Sequence, residues 1–507
     1  MDQLEGAADE AAEETMSVGH KRGVDRGQSA LLPPAMEDFV GAAHMVRVID
    51  AWVERLDLAA LGFARSRPAA TGRPPYAPDD LLRLYLYGYW NRIRSSRALE
   101  RECRRNLEVM FLVRQLVFDH KTIADFRKDN GRPLQAACAA FVQFVRGEGL
   151  LGTDEAVVAI DGSKFKASAA AGTVVDEAGA AARRERLAER MAEYLAQMDA
   201  RDAAEAGADA PQTEQLAAAL KKLLDKDVAL AVAQAQIQAQ IDAQAQAPVP
   251  EPIKPQAGLT DPDAVALRGG LVGYNVQQAV DSASKLIITH EVTQQGNDHR
   301  SLAPTAAAAQ AALGVESLTV VADTGYMNGE QAQHCEDAGI TPVVPMQQAA
   351  STRGEDLYPK TAFAYDPATD SYRCPAGALL NRFKRSHTQQ TDYYCTDACA
   401  SCAMKARCTN GTQRTIARSW FAAAAERADQ RARASTNWMR LRAATAEHPF
   451  GLLKAILAGG FLVRGLAKVK GEMALAVLVV NLRRAMNLMG IEKMIERLNA
   501  EPAAAAG

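Results

Sequence analysis

From Ala35 to about Leu151 apolar residues recur at three- and four-residue steps, as in Leu81, Leu82, Tyr85, Leu86, Tyr89 and Trp90. This spacing predicts amphipathic helices, with Asp79 after Pro78 as an N-cap. Breaks at Pro74–Pro75 and Phe118–Asp119–His120 divide them into a compact helical domain over residues 31–150. At Ala156 the period changes. The run Ala156–Val157–Val158–Ala159–Ile160 is short, apolar and β-branched, and predicts a buried strand that exits at Asp161–Gly162. Further strands are expected at 271–280 and 286–292, joined as a hairpin by Asp281–Ser282–Ala283–Ser284, then at 318–322 and 340–344. Helices at 301–313 and 328–338 alternate with the last two strands, so residues 151–180 and 260–345 make an α/β core with a mixed sheet.

Two insertions interrupt this core. Residues 181–259 form a polar helical insert whose Leu187, Met191, Leu195 and Met198 share one face and Leu216, Leu220, Leu223 and Leu224 another. It closes on an Ala/Gln tract and a Pro-rich linker. Residues 346–435 are irregular and cysteine-rich, and residues 436–500 return to helix. Residues 1–30 are acidic at first, have no periodic apolar face and are expected to be disordered.

Composition narrows the class. The 507 residues are 48% hydrophobic and 23% charged, which excludes a wholly disordered or fibrous chain. The absence of a charge-free run of ~20 residues argues against a membrane span, and the acidic N-terminus is unlike a secretory signal. A cytoplasmic protein is expected. The net charge of −3 conceals basic segments: residues 83–105 carry seven Arg against two Glu, and residues 411–500 carry 15 Lys and Arg against six acids. Such segments suit a nucleic-acid partner, although solvated helix faces have the same composition.

Asp161 and Asp323 each follow a predicted strand, at the sheet edge where catalytic groups gather. Glu447 and Lys454 lie seven residues apart, close to two turns, on one face of the C-terminal helix if Pro449 does not break it. Three converging carboxylates need a cation between them, and hard oxygen ligands favour Mg²⁺ or Mn²⁺, with two such ions able to drive an in-line phosphoryl displacement. Five cysteines fall within residues 374–408. Cys374, Cys399, Cys402 and Cys408 could form a structural zinc site, with Cys395 as a competing thiol and unliganded reduced thiols as the simpler alternative.

Four stretches, in order, carry a resemblance: Phe118–Arg127, the Asp161–Gly162–Ser163–Lys164 turn, Gly273–Asp281, and Ala322–Asp323–Thr324–Gly325–Tyr326; Glu447–His448–Pro449–Phe450–Gly451 with Lys454 completes them. The chain resembles the DDE transposases of bacterial insertion sequences over most of residues 70–490. That resemblance implies an RNase H-like catalytic core preceded by an all-α DNA-binding domain. It implies Asp161, Asp323 and Glu447 as the metal-binding triad and Lys454 as a DNA contact. Ala443 stands where the family has Arg, with Arg440 and Arg442 as nearby substitutes. Arg92, Arg94, Arg97, Arg101, Lys121 and Arg127 become candidate phosphate contacts, the last two on a helix capped by Thr122. The implied activity is cleavage and strand transfer at terminal inverted repeats of double-stranded DNA, into a target, by a homodimer or larger synaptic assembly. A non-catalytic end-binding repressor and a nuclease without strand transfer are the competing readings.

Overall fold

The computed structural model of the protein describes residues 35–67, 74–152, 156–204, 210–246, 255–267, 269–347 and 357–500. The acidic stretch 1–30 and most of the Pro-rich linker lie outside the described residues. The N-terminal part is helical: α1 (Met45–Glu54), α2 (Pro78–Trp90), α3 (Ser96–Arg105), α4 (Leu107–Leu112), α5 (His120–Asp129) and α6 (Gly131–Gly147). Pro78 is itself the first residue of α2, so Asp79 falls in the first turn instead of capping it. Asp119, and not Thr122, caps α5, its Oδ1 accepting from the N–H groups of Lys121 and Thr122.

β1 (Val157–Lys166) runs straight through Asp161 instead of ending there. A short ribbon, β2 (Val174–Val175) against β3 (Ala257–Gly258), closes the base of the helical insert. The insert is a hairpin of α7 (Glu177–Ala204) and α8 (Ala210–Gln246), zipped by Leu187, Leu223 and Leu230 and by an Arg184–Asp227 ion pair at 2.9 Å. β4 (Val265–Ala266), β5 (Val272–Asp281) and β6 (Ile287–Thr293) follow, then α9 (Leu302–Leu313), β7 (Leu318–Val321), α10 (Gly329–Asp337) and β8 (Ile340–Val343). The sheet order is β4-β5-β1-β7-β8 with β6 also on β5. β5 is antiparallel to β1, β4 and β6, and β1, β7 and β8 are parallel, so the sheet is mixed.

The cysteine-rich stretch is not irregular. It folds as a five-stranded antiparallel sheet of β9 (Ala364–Asp366), β10 (Ser371–Arg373), β11 (Leu379–Ser386), β12 (Thr391–Cys395) and β13 (Ile416–Ser419). Its strands are short and its apolar core is Phe363, Tyr372, Leu380, Tyr394 and Ile416, too few apolar positions to print a clear period of two. α11 (Ala422–Ala434), α12 (Asn437–Ile456), α13 (Leu466–Met489) and α14 (Ile491–Asn499) complete the chain.

One hydrophobic core runs from Trp52 and Phe141 of the helical part through Val158 and Tyr274 of the sheet to Leu475 of α13. α6 and α13 approach so closely that a Cβ on Gly471 would stand 2.5 Å from the Gly131 Cα, which only glycine permits. Among the described residues no single helix is long and apolar enough to cross a membrane.

Candidate active site

Strand register brings two carboxylates together. β1 and β7 pair Ala159 with Val321, so Asp161, two residues further along β1, and Asp323, two residues past the end of β7, stand at the same level. β7 stops at Val321 while β1 continues along β5, which opens a notch at the carboxyl end of β7. Asp323 caps a single 3-10 turn, its Oδ1 accepting from Gly325 N–H at 2.8 Å, and its Oδ2 is left for the notch.

α12 supplies the third side. It stays helical through Pro449, which has no N–H for the Thr445 carbonyl. The helix is pinned to the sheet around that point: Gln278 Nε2 donates to Ala446 O at 3.0 Å, Lys285 Nζ to Thr445 Oγ1 at 2.7 Å, and Phe450 packs on Phe165. This orientation points Arg442 and Glu447 at the notch. Arg442 Nη2 donates to Asp161 Oδ1 at 2.9 Å and to Asp323 Oδ2 at 3.0 Å, and its Nη1 lies 3.8 Å from Glu447 Oε1. Asp161 and Arg442 are 14% and 15% exposed, Glu447 66%, so the third acid is presented to solvent. Burial pushes the Asp161 carboxyl up from the ordinary range and the Asp323 charge adds to this, while Arg442 pulls it back.

A second polar layer lies beside Asp161. Asp298 Oδ1 accepts from Asn275 Nδ2 at 2.8 Å and Gln277 Nε2 at 2.6 Å, and the buried Tyr326 hydroxyl donates to Gln277 Oε1. A Cβ at Gly162 would meet Asp298 and Gln277 at 2.7 Å, so glycine is required for this layer to close. Burial, then the negative charges of Asp298, Asp161 and Asp323, hold the Tyr326 phenol well above its usual range. Sequence reasoning gave these residues no role. The available signal was three amide side chains, Asn275, Gln277 and Gln278, on a strand buried along its whole length.

The remaining candidates divide. Arg92, Arg97, Arg101, Lys121 and Lys454 are exposed. Arg94 and Arg127 are withdrawn as phosphate contacts: both are buried, and both pair with Glu472 of α13, at 3.3 and 3.7 Å. Cys374, Cys399, Cys402 and Cys408 line one small cavity with Phe363 and Arg414, and Cys395 does not join them. Burial pushes the Cys408 thiol up, and the other three sulfurs act on it in the same direction. Among the described residues, no group of three or more His, Cys, Asp or Glu is arranged as it stands to hold a metal ion. At the notch a guanidinium sits as the cation between the two aspartates. The acids therefore suit a cation, and their oxygen donors suit a hard one.

The fold and notch define an α/β protein that gathers acids around a cation position at the edge of a mixed sheet. A family model described as a transposase domain matches residues 34–129, and one described as a transposase DDE domain matches residues 373–486. Both matches are to transposase domains, and together they support a DDE transposase. Asp161 and Asp323 lie outside both matched stretches, and Glu447 lies inside the second. A cryo-EM structure of the piggyBac transposase synaptic complex with hairpin DNA is similar to this chain at 9% identity and a TM-score of 0.30, over 90% of this chain and 76% of that one. No curated protein matches the chain.

Proposed function

We propose that this transposase binds the ends of its own element and cleaves and joins DNA there, with Asp161, Asp323 and Glu447 as the catalytic acids. The observation that carries the reading is the convergence of these acids on one cation position, from two strands and a distant helix. The strand order, with β5 antiparallel to β1 on one side and β7 and β8 parallel to it on the other, supports an RNase H-like core. Mg²⁺ or Mn²⁺ held by the three acids would activate the attacking water and stabilise the leaving oxygen. The chain's own part is to fix the acids: the β1–β7 register sets Asp161 against Asp323, and the Gln278 and Lys285 bonds set the rotation of α12. The test is strand cleavage of duplex DNA carrying the sequences that bound the gene, in Mg²⁺. Binding without cleavage in any divalent ion would favour the repressor reading. Cleavage without joining would favour the nuclease.

The exposed face of α3 and the start of α5, with Arg97, Arg101 and Lys121, is the proposed end-binding surface. Arg101→Gln and Lys121→Gln should each weaken binding across all sequences and lower the slope of log affinity against log salt by about 0.9. Binding titrations from low to high salt check this; an unchanged slope in both variants removes the surface.

The four clustered thiols are the proposed ligands of one structural Zn²⁺, which would staple a sheet whose hydrophobic core has five buried apolar residues. Elemental analysis should find about one zinc per chain, and chelation should expose residues 357–419 to protease. A folded, protease-resistant protein free of zinc would end this proposal.

A further inference from the structure

We infer that Arg442 is a resident counter-ion that competes with the divalent metal for the acid triad, so that the site is closed to metal until the guanidinium is drawn away. The inference rests on the triad reading above. Its basis is geometric. One Nη2 donates to Asp161 and to Asp323 at 2.9 and 3.0 Å, which offsets part of the charge of two carboxylates that would otherwise face each other without a cation. Among the described residues its side-chain hydrogen bonds go to those two acids, Glu447 Oε1 lies 3.8 Å from Nη1, and its Nε is buried without a hydrogen-bond partner. A guanidinium seated this way is replaceable, because the ligand set that bonds it is the set a hard cation would use, and both cannot occupy it together.

The same side chain has a second use. Guanidinium pairs with phosphate as readily as with carboxylate. Arg442 sits one helical turn and a residue before Glu447, beside the exposed Arg440, on the helix that carries the exposed Lys454. A DNA phosphate arriving at the notch would offer Arg442 a new partner and release both aspartates. Metal loading would then follow DNA docking, which keeps the chain from assembling a hydrolytic centre in its absence.

The experiment compares Mn²⁺ binding, by isothermal titration and by the loss of free-ion paramagnetic resonance signal, in wild type, Arg442→Gln, Arg442→Lys and Asp161→Asn. Arg442→Gln should bind Mn²⁺ roughly tenfold or more tightly than wild type, with Arg442→Lys between them. Without metal its melting temperature should fall below the wild-type value, and millimolar Mg²⁺ should restore it while leaving wild type unmoved. A duplex oligonucleotide should raise Mn²⁺ uptake by wild type and not by Arg442→Gln, each counted against Asp161→Asn, which carries the ions bound to the DNA alone. Equal Mn²⁺ affinity in wild type and Arg442→Gln, with both lost in Asp161→Asn, overturns the competition and leaves the triad standing. No Mn²⁺ bound by any variant, with or without DNA, overturns the triad as a metal site and this inference with it.

Discussion

Asp161→Ala and Asp323→Ala should each reduce DNA cleavage by roughly a thousandfold or more while leaving end binding nearly unchanged. Each removes one of the two carboxylates held at the same level by the Ala159–Val321 pairing, and neither side chain supports the core. Asp323 is 42% exposed, and beside its bond to Arg442 it accepts from Gly325 N–H, which closes a single turn. Asp161 is more buried, yet its loss also removes a carboxyl that burial disfavours in its charged form, so folding should tolerate it. The two substitutions together should cost little more than either alone, because a cation site missing one bridging acid has already failed. Glu447→Gln should behave in the same way, and with least effect on stability, since that side chain faces solvent. Cleavage assays with binding measured in parallel decide the point: normal rates in any of the three variants would remove that acid from the site.

The two aspartates were legible because each belongs to a local pattern. An apolar β-branched run followed by an acid can be read within six residues, and the sheet order then places both at one edge. Glu447 was legible only through its neighbours, Pro449–Phe450–Gly451 and Lys454, since 124 positions separate it from Asp323. Arg442 could not be read as a partner of the acids. The residues it bonds are 281 and 119 positions away, and nothing near Arg442 sets it apart from Arg440. The same limit explains Arg94 and Arg127. A run of arginines in short helices reads as a phosphate-binding face, and a buried acid 378 positions downstream of Arg94 leaves no local trace. The extension of β1 past Asp161 was hidden too, because Gly162–Ser163–Lys164 has the composition of a turn while its backbone bonds are met by β5. Local propensity and long-range pairing disagree at that point, and pairing prevails at a position where glycine is needed for close packing.

Glu472→Ala should destabilise the protein by about 3–5 kcal/mol, more than any other single change considered in this chain. Glu472 is fully buried in the second turn of α13, and its two oxygens are shared among five donors. Oε1 accepts from the Tyr89 hydroxyl at 2.9 Å and Arg94 Nη1 at 3.3 Å, with Arg127 Nη1 at 3.7 Å. Oε2 accepts from the N–H groups of Leu462 and Val463 at 2.8 and 3.2 Å. Removing the carboxylate leaves two buried guanidinium groups without a counter-charge and two backbone N–H groups unmet, which costs far more than the net worth of the intact cluster. Glu472→Gln keeps the volume and part of the hydrogen bonding but not the charge, so its loss should be smaller yet still large. The double variant Arg94→Met with Glu472→Met should recover part of the deficit, because the uncompensated charge goes with its partner. Arg94 also donates to Ala458 O and Gly460 O, in the loop that joins α12 to α13, so the cluster anchors the end of the helix that presents Glu447. Denaturant unfolding of the three variants measures the stability terms, and Glu472→Gln assayed below its unfolding transition should cleave DNA slowly with Mn²⁺ affinity reduced only modestly. Wild-type unfolding by Glu472→Ala would show that the two arginines find other partners, and would break the link drawn between the helical part and the site.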